Sequence, residues 1–310
     1  MIDRARYYMR PPGFIGVTSA DAVLVVDEAG ERLELTTAAV ETWSALFQEL
    51  VAPTAGDALV ERLAPLSDTD RDFADLLVES DLVFDATTPD ALLDRRRQAL
   101  ADNRGMHLDP YPLVCEHLVL SLTGSIMSGL MAPVVLSFAY SGLQRQLDIL
   151  LTPTALKFTT RDLYESYGIR TWVDPFERLD GIFVPHVQLA ESADCVLVLP
   201  ASANSLHRLA SGTCSDLLAM IVSATAAPVV AMPVMNEAMW NSIAVQRNVA
   251  QLRRDGVYIV EPGLIVAASA LVSGAAPMYG GPGSLWRGPV GAMHTVATVV
   301  DHDRSRKRSP

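Results

Sequence analysis

Cysteine is scarce in this chain. Its three residues, Cys115, Cys195 and Cys214, are too few and too scattered for a disulfide framework. The surroundings of Cys195 and Cys214 in sequence are apolar, which predicts inert packing residues. No charged-apolar-small segment opens the chain, so no secretory signal is expected, and with so few thiols a cytoplasmic protein is expected. Charge is sparse as well, at 19% of residues, and it is unbalanced, with a formal net charge of -12. Such a field repels phosphate backbones and anionic lipid, so neither nucleic acid nor a membrane is expected as a partner. The six histidines show no H-E-x-x-H or paired metal spacing, Cys115-Glu116-His117 alone is insufficient for zinc, and no metal site is expected. No G-x-S-x-G elbow suggests a serine hydrolase.

What is present is apolar. Half of the 310 residues are hydrophobic, enough for a well-packed core and more than one domain. The run from Leu118 to Tyr140 is nearly free of charge and as long as a spanning helix, but Gly124, Ser125, Ser128, Gly129 and Pro133 interrupt it. A strand, a tight turn and a helix fit better.

The first hundred residues read as a small α+β unit. Ala22 to Val26 and Arg32 to Leu35 flank a polar, glycine-containing turn, the pattern of a hairpin. Helical spacing follows over Ala38 to Leu50, Asp57 to Leu63 and Asp70 to Glu79, before Leu82-Val83-Phe84. That order, with Leu33-Glu34-Leu35-Thr36-Thr37-Ala38-Ala39 entering the first helix and Leu76 to Leu82 near the end, resembles the winged-helix, PqqD-like elements that bind leader peptides. A generic winged-helix or dimerisation unit fits the same pattern. The expected division is residues 1–88 for this unit, 89–114 for a linker, 115–296 for the main domain, and 297–310 for a disordered basic tail.

From Leu118 onward, strand-like runs alternate with helical ones: Leu118 to Leu122, Leu147 to Leu151, Cys195 to Leu199, Pro228 to Met232 and Val257 to Val260. Alternation of this kind predicts an α/β fold with a parallel sheet flanked by helices, and a ligand at the carboxyl ends of the strands. Chemistry-bearing residues fall at those ends. Thr123-Gly124-Ser125 opens a helix and suits a phosphate or an ordinary turn; Thr152-Pro153-Thr154 supplies hydroxyls or simple caps. The three-glycine dinucleotide spacing is missing, so NAD is not indicated.

Pro200-Ala201-Ser202-Ala203-Asn204-Ser205 resembles the P-A-S-A-N-T motif of the homo-oligomeric flavin-containing cysteine decarboxylases, with serine in place of the last threonine. Pro233-Val234-Met235-Asn236-Glu237-Ala238-Met239-Trp240 matches that family's P-x-M-N-x-x-M-W motif at every specified position, and Pro185-His186-Val187 supplies the expected upstream histidine. The resemblance implies a flavodoxin-like, Rossmann-type sheet with FMN between subunits of a trimer or a larger dodecameric particle. It assigns Gly124, Ser125, Thr152, Ser202, Ala203, Asn204, Ser205, Met235 and Met239 to the cofactor. His186 becomes the catalytic base, since imidazole titrates near neutral pH and can take a proton from a thiol. Asn236 would act on the substrate carboxylate, with Met239 and Arg287 also touching substrate; Asn236 equally suits a helix cap, the methionines a helix core, and Trp240 is expected in the core. The flap from Met278 to Trp286 would cover the peptide end.

Members of the family that make the coenzyme A precursor carry a flap cysteine that donates a proton to the intermediate, and nothing after Cys214 is a cysteine. The resemblance therefore implies an epidermin-type enzyme. It would act on the C-terminal cysteine of a ribosomally made precursor peptide and release an enethiol for an aminovinyl-cysteine ring, with its leader and a dehydratase or cyclase as further partners. A phosphopantothenoylcysteine decarboxylase-like enzyme and a non-catalytic flavin-binding assembly subunit are the alternatives. The prenylating flavin enzymes are disfavoured by the intact second motif.

Overall fold

A computed structural model of the chain describes residues 2–11, 14–27, 30–102, 111–265, 278–280 and 288–308. The front unit contains β1 (Tyr7–Met9), β2 (Ile15–Thr18), β3 (Ala22–Val26), β4 (Arg32–Thr36), α1 (Val40–Glu49), β5 (Thr54–Ala55), α2 (Gly56–Leu63), α3 (Asp68–Glu79), β6 (Phe84–Ala86) and α4 (Pro89–Asp102). The expected hairpin is β3 paired antiparallel with β4. The first part of the expected linker is the helix α4, whose Leu92 is buried with Met9, Phe84 and Ala86.

The main region follows as β7 (Cys115–Leu122), α5 (Ala132–Ser141), β8 (Gln144–Leu151), α6 (Arg161–Glu165), β9 (Arg170–Trp172), α7 (Pro185–Ser192) and β10 (Cys195–Ala201). It continues with α8 (Ala203–Ser211), α9 (Leu217–Ala224), β11 (Val229–Asn236), α10 (Glu237–Trp240), α11 (Ile243–Arg254), β12 (Tyr258–Val260), β13 (Gly263–Ile265) and β14 (Met278–Gly280). Between β10 and β11 the chain makes two helices, broken at Gly212, which is left-handed with φ 66° as helix C-caps commonly are. The run from Glu237 to Arg254 is likewise restarted by the Ser242 cap of α11.

Six strands form the expected parallel sheet, in the order β12-β11-β10-β7-β8-β9. The central strands carry near-continuous apolar runs, as in Leu118 to Leu122 and Cys195 to Leu199, because helices cover both faces. Leu118, Leu120 and Leu197 face α5 and the C-terminal helix, while Val119, Val196 and Val198 face α7, α8, α9 and α11. Among the described residues no helix is long and apolar enough to cross a membrane.

The sheet does not stop at β12. β2 pairs antiparallel with β12, and β3 and β4 follow outward, so the front unit and the parallel region share one sheet. A buried polar cluster seals the junction. Arg253 Nη2 donates to Glu261 Oε1 at 2.6 Å and to Ser44 Oγ at 2.8 Å, and Arg253 Nε donates to Thr18 Oγ1 at 2.8 Å. Gln48 Nε2 donates to the second Glu261 oxygen at 3.1 Å. Since breaking one side of a buried pair strands the other charge, Arg253→Met alone is expected to cost about 3–5 kcal/mol, and joint replacement with Glu261→Leu less. Urea unfolding of the two variants measures the difference.

The expected disordered tail is corrected. Residues Gly288–Arg308 form one helix, in which Ala292, Met293, Val296, Val299 and Val300 recur at helical spacing and are buried against the sheet. Three of the four basic residues that suggested disorder have partners: Arg304 donates to Val114 O, Arg306 pairs with Asp21, and Lys307 donates to Ala226 O. They also sit at the negative end of the helix dipole.

Candidate active site

The order of the parallel strands reverses between β7 and β10. From β7 the chain moves to β8 and β9 on one side, and from β10 to β11 and β12 on the other. A crevice at the carboxyl ends follows from such a switch point. Thr123, fully buried just past β7, laces the two sides together. Its Oγ1 donates to Pro200 O at 2.6 Å and accepts the Ser202 N–H at 2.9 Å. Sequence reasoning grouped Thr123 with its turn but gave it no role; a threonine at a strand end beside a two-strand motif was the available signal.

Gly124 is required by close approach. A Cβ there would lie 2.6 Å from Thr154 Cγ2, so the turns after β7 and β8 nearly touch. Ser125 Oγ accepts the Met127 N–H at 3.3 Å, and Thr152, 4% exposed, receives the N–H of Ala155 on its side chain at 3.4 Å. After β10, Ser202 caps α8 by accepting the Ser205 N–H at 3.2 Å, and the two hydroxyls lie 3.0 Å apart. Ser205 is buried behind Ser202, Ala203 is half-buried, and Asn204 is exposed. The positive end of the nine-residue α8 thus opens at the crevice, suited to an anionic group.

Asn236 ends β11 and caps α10, its Oδ1 accepting the Met239 N–H at 2.8 Å. The cap uses the carbonyl, which leaves the exposed amide donors for another partner. The two methionines separate. Met235 points into the core among Val198, Ala201 and Trp240, because strand side chains alternate, while Met239 is 44% exposed at the crevice edge.

His186 is the second residue of α7, half-buried, and its buried Nδ1 has no protein partner among the described residues. Since α7 runs from the carboxyl edge after β9 back to the amino edge before β10, its start brings His186 to the same edge as the turns above. A buried unpartnered nitrogen is costly unless something absent from the protein pairs with it. The crowded glycine turn, the strand-end hydroxyls, the α8 terminus and this nitrogen all fit a flavin phosphate and a reacting group beside it.

A feature of the flap adds to the edge. Met278–Gly280 pairs antiparallel with Val234–Asn236 and with β13, so a two-stranded tongue lies along the second motif. Arg287 lies outside the described residues, as do the flap residues after Gly280. Apolar side chains also stand out at this edge, notably Ile126 at 59%, Phe183 at 64% and Ile243 at 87% exposure. Cys214, expected among apolar residues, is exposed and its Sγ donates to Ser223 Oγ at 3.4 Å. Cys195 is buried, and burial pushes its thiol well up; burial likewise pushes the Cys115 thiol up to about 12. A thiol held protonated in this way is a poor nucleophile at neutral pH.

Known proteins resemble this region. The chain is 37% identical over 115 residues to the coenzyme A biosynthesis bifunctional protein CoaBC of Mycobacterium bovis, covering 37% of this chain and 27% of that protein. It is 29% identical over 151 residues to the CoaBC of Haemophilus influenzae, covering 47% of this chain and 36% of that protein. The chain thus spans about a third of the length of these curated relatives. Among solved structures, the FMN-dependent cysteine decarboxylase SpaF superposes with a TM-score of 0.48 at 30% identity, covering 61% of this chain and 97% of that one. The epidermin biosynthesis protein EpiD of Staphylococcus aureus gives 0.47 at 22% identity, covering 56% and 97%. The Flavoprotein family profile matches residues 109–280, more than half of the chain, which therefore belongs to the Flavoprotein family.

Proposed function

We propose that the chain is an FMN-dependent decarboxylase acting on the C-terminal cysteine of a ribosomally made precursor peptide. The observation that carries this reading is the convergence of the Pro200–Ser205 and Pro233–Trp240 segments with the unpartnered His186 nitrogen at one sheet edge. In its oxidised form FMN would accept the two electrons given up by the cysteine side chain, after which carbon dioxide leaves readily.

The protein's residues prepare that step. The α8 N-terminus with Ser202 and Asn204 holds the phosphate side, and Ser125 and Thr152 add hydroxyls from the neighbouring turns. His186 takes the thiol proton, so that the more electron-rich thiolate is presented to the cofactor. The Asn236 amide orients the peptide carboxylate by hydrogen bonding without neutralising it, Met239 packs against the reacting residue, and Arg287 is proposed as a second carboxylate contact. The net change in the peptide is loss of one carbon dioxide and two hydrogens. Absence of cysteine after Cys214 leaves no flap thiol to donate the proton that reduction of the intermediate needs, which favours a released enethiol over coenzyme A precursor chemistry.

The exposed apolar side chains around the crevice favour a homo-oligomer, trimeric or dodecameric, in which a second subunit covers that edge. For the front unit, the hairpin, the helices that follow it and the acidic composition favour recognition of a peptide leader. The test is substrate choice. Flavin-loaded protein offered a Cys-terminated peptide and phosphopantothenoylcysteine in separate assays is expected to decarboxylate the peptide; turnover of only the small substrate refutes the peptide reading. A second expectation concerns Gly124→Ala, whose methyl collides with Thr154. This variant is expected to purify with less bound flavin, as read by flavin absorbance, and because the new methyl would also lie 2.7 Å from Thr154 Cβ, Thr154→Gly in the same chain is expected to restore part of it.

A further inference from the structure

Helix α7 carries His186 but begins without an ordinary cap. Its N-cap residue is Val184, whose side chain has no oxygen to offer, and Pro185 has no N–H. Gln188, one turn in, does the work instead. Its Oε1 accepts the backbone N–H groups of Phe183 at 2.7 Å and Val184 at 2.9 Å, the two residues that lead the chain into Pro185-His186.

The same residue reaches the other end of the helix through its main chain. Ser192 Oγ donates its only hydrogen to Gln188 O at 2.7 Å and lies 3.0 Å from His117 Nδ1 on β7, a nitrogen from which it can only accept, so the whole set is made when both His117 ring nitrogens carry hydrogen. His117 Nε2 in turn lies 2.7 Å from Asp148 Oδ2 on β8. Asp148 is fully buried and is also held by Arg170 and Trp172 of β9 and by Gln146. A continuous set of hydrogen bonds therefore runs from the sheet interior, through both ends of α7, to the residues immediately before His186.

We propose that Gln188 and Ser192, anchored through His117 to Asp148, are positioning residues that set where the His186 imidazole stands at the strand edge. This rests on the reading of His186 as the base. A catalytic group is effective only when held by neighbours whose own geometry is locked, and the only core contacts α7 makes through its own buried side chains among the described residues are Pro185, Leu189 and Ala190. Those apolar contacts resist separation, the Thr225 hydroxyl donating to Ala190 O at 2.9 Å opposes sliding of the second half of the helix, and the hydrogen bonds of Gln188 and Ser192 add polar restraints at its two ends. Ser192 is exposed, so loss of its hydroxyl removes the anchor without opening a cavity.

The experiment uses the whole chain, flavin-loaded, with a Cys-terminated peptide in air, so that dioxygen takes the two electrons back from the flavin between turnovers, comparing Gln188→Ala, Ser192→Ala, Ser192→Thr and His186→Asn. In Gln188→Ala and Ser192→Ala, kcat is expected to fall by about 10- to 100-fold, as misplacement of a catalytic group does, with KM changed by no more than about twofold. Flavin content and Tm should stay at the parent values. Ser192→Thr, which keeps the hydroxyl, should restore kcat. Parent-like kcat in both alanine variants alongside an inactive His186→Asn overturns the positioning role while leaving the proposed base intact. Loss of flavin and Tm in step with kcat, or a Ser192→Thr variant as slow as Ser192→Ala, overturns it too. A fully active His186→Asn overturns the reading of the base itself.

Discussion

His186→Asn is expected to lower turnover of a Cys-terminated peptide by about 10²- to 10⁴-fold, the usual worth of a positioned proton acceptor. The protein should remain yellow and folded. His186 is half-buried, and its Nδ1 makes no hydrogen bond to the described residues that the substitution would break. Asparagine is close in size and keeps a polar group there, but its amide cannot accept a proton near neutral pH. Peptide affinity should change little, because carboxylate recognition is assigned to Asn236 and Arg287. Steady-state assays of kcat and KM, with the flavin spectrum recorded on the same sample, separate loss of the base from loss of the cofactor. A variant that loses flavin would instead place the imidazole against the cofactor as a binding group.

The second large effect is on stability. Asp148→Ala is expected to destabilise the fold by about 3–5 kcal/mol, because it strips a buried carboxylate from several donors at once. Burial by itself would raise the Asp148 carboxyl, but hydrogen bonds from Arg170, His117, Trp172 and Gln146 overcome it and hold the group well below the usual carboxylate range. Arg170 Nη2 donates to Oδ2 at 2.6 Å, while Trp172 Nε1 at 2.8 Å and Arg170 Nε both donate to Oδ1. Removing the carboxylate leaves the guanidinium, the imidazole and the indole N–H around a cavity. A depressed carboxyl stabilises the fold fully above the unfolded-state value of about 4, and the contribution drains away as pH falls below that value. Urea midpoints should therefore separate parent and Asp148→Ala widely at neutral pH and converge in acid. A neutral-pH difference below about 1 kcal/mol would show that the cluster is not a stability centre.

Much of the parallel region was legible because a strand covered on both faces is a continuous apolar run, as in Cys195 to Leu199, and because small polar residues follow each run. The histidine of Pro185-His186 was legible too. What escaped were features set by distant parts of the chain. β2 reads only as Ile-Gly-Val-Thr, and its pairing with β12, more than two hundred residues away, depends on Thr18, Arg253 and Glu261 meeting in the folded state. β9 is three residues long and begins with an arginine, which is unpromising for a buried strand until Asp148 is seen to neutralise it. The C-terminal helix was obscured by its closing Arg304-Ser305-Arg306-Lys307-Arg308, although the stripe from Ala292 to Val300 carries the packing. Met235 was assigned to the cofactor on its motif, while strand alternation turns it into the core and leaves Met239 at the edge.

Two-electron removal from a peptide cysteine, coupled to loss of its carboxylate, is the central claim. Mixing the yellow protein with a Cys-terminated peptide in the absence of oxygen tests it most directly. The flavin colour should bleach as the peptide loses one carbon dioxide and two hydrogens, in matched amounts by absorbance and mass spectrometry. Recovery of the intact peptide with the flavin still oxidised would contradict the account.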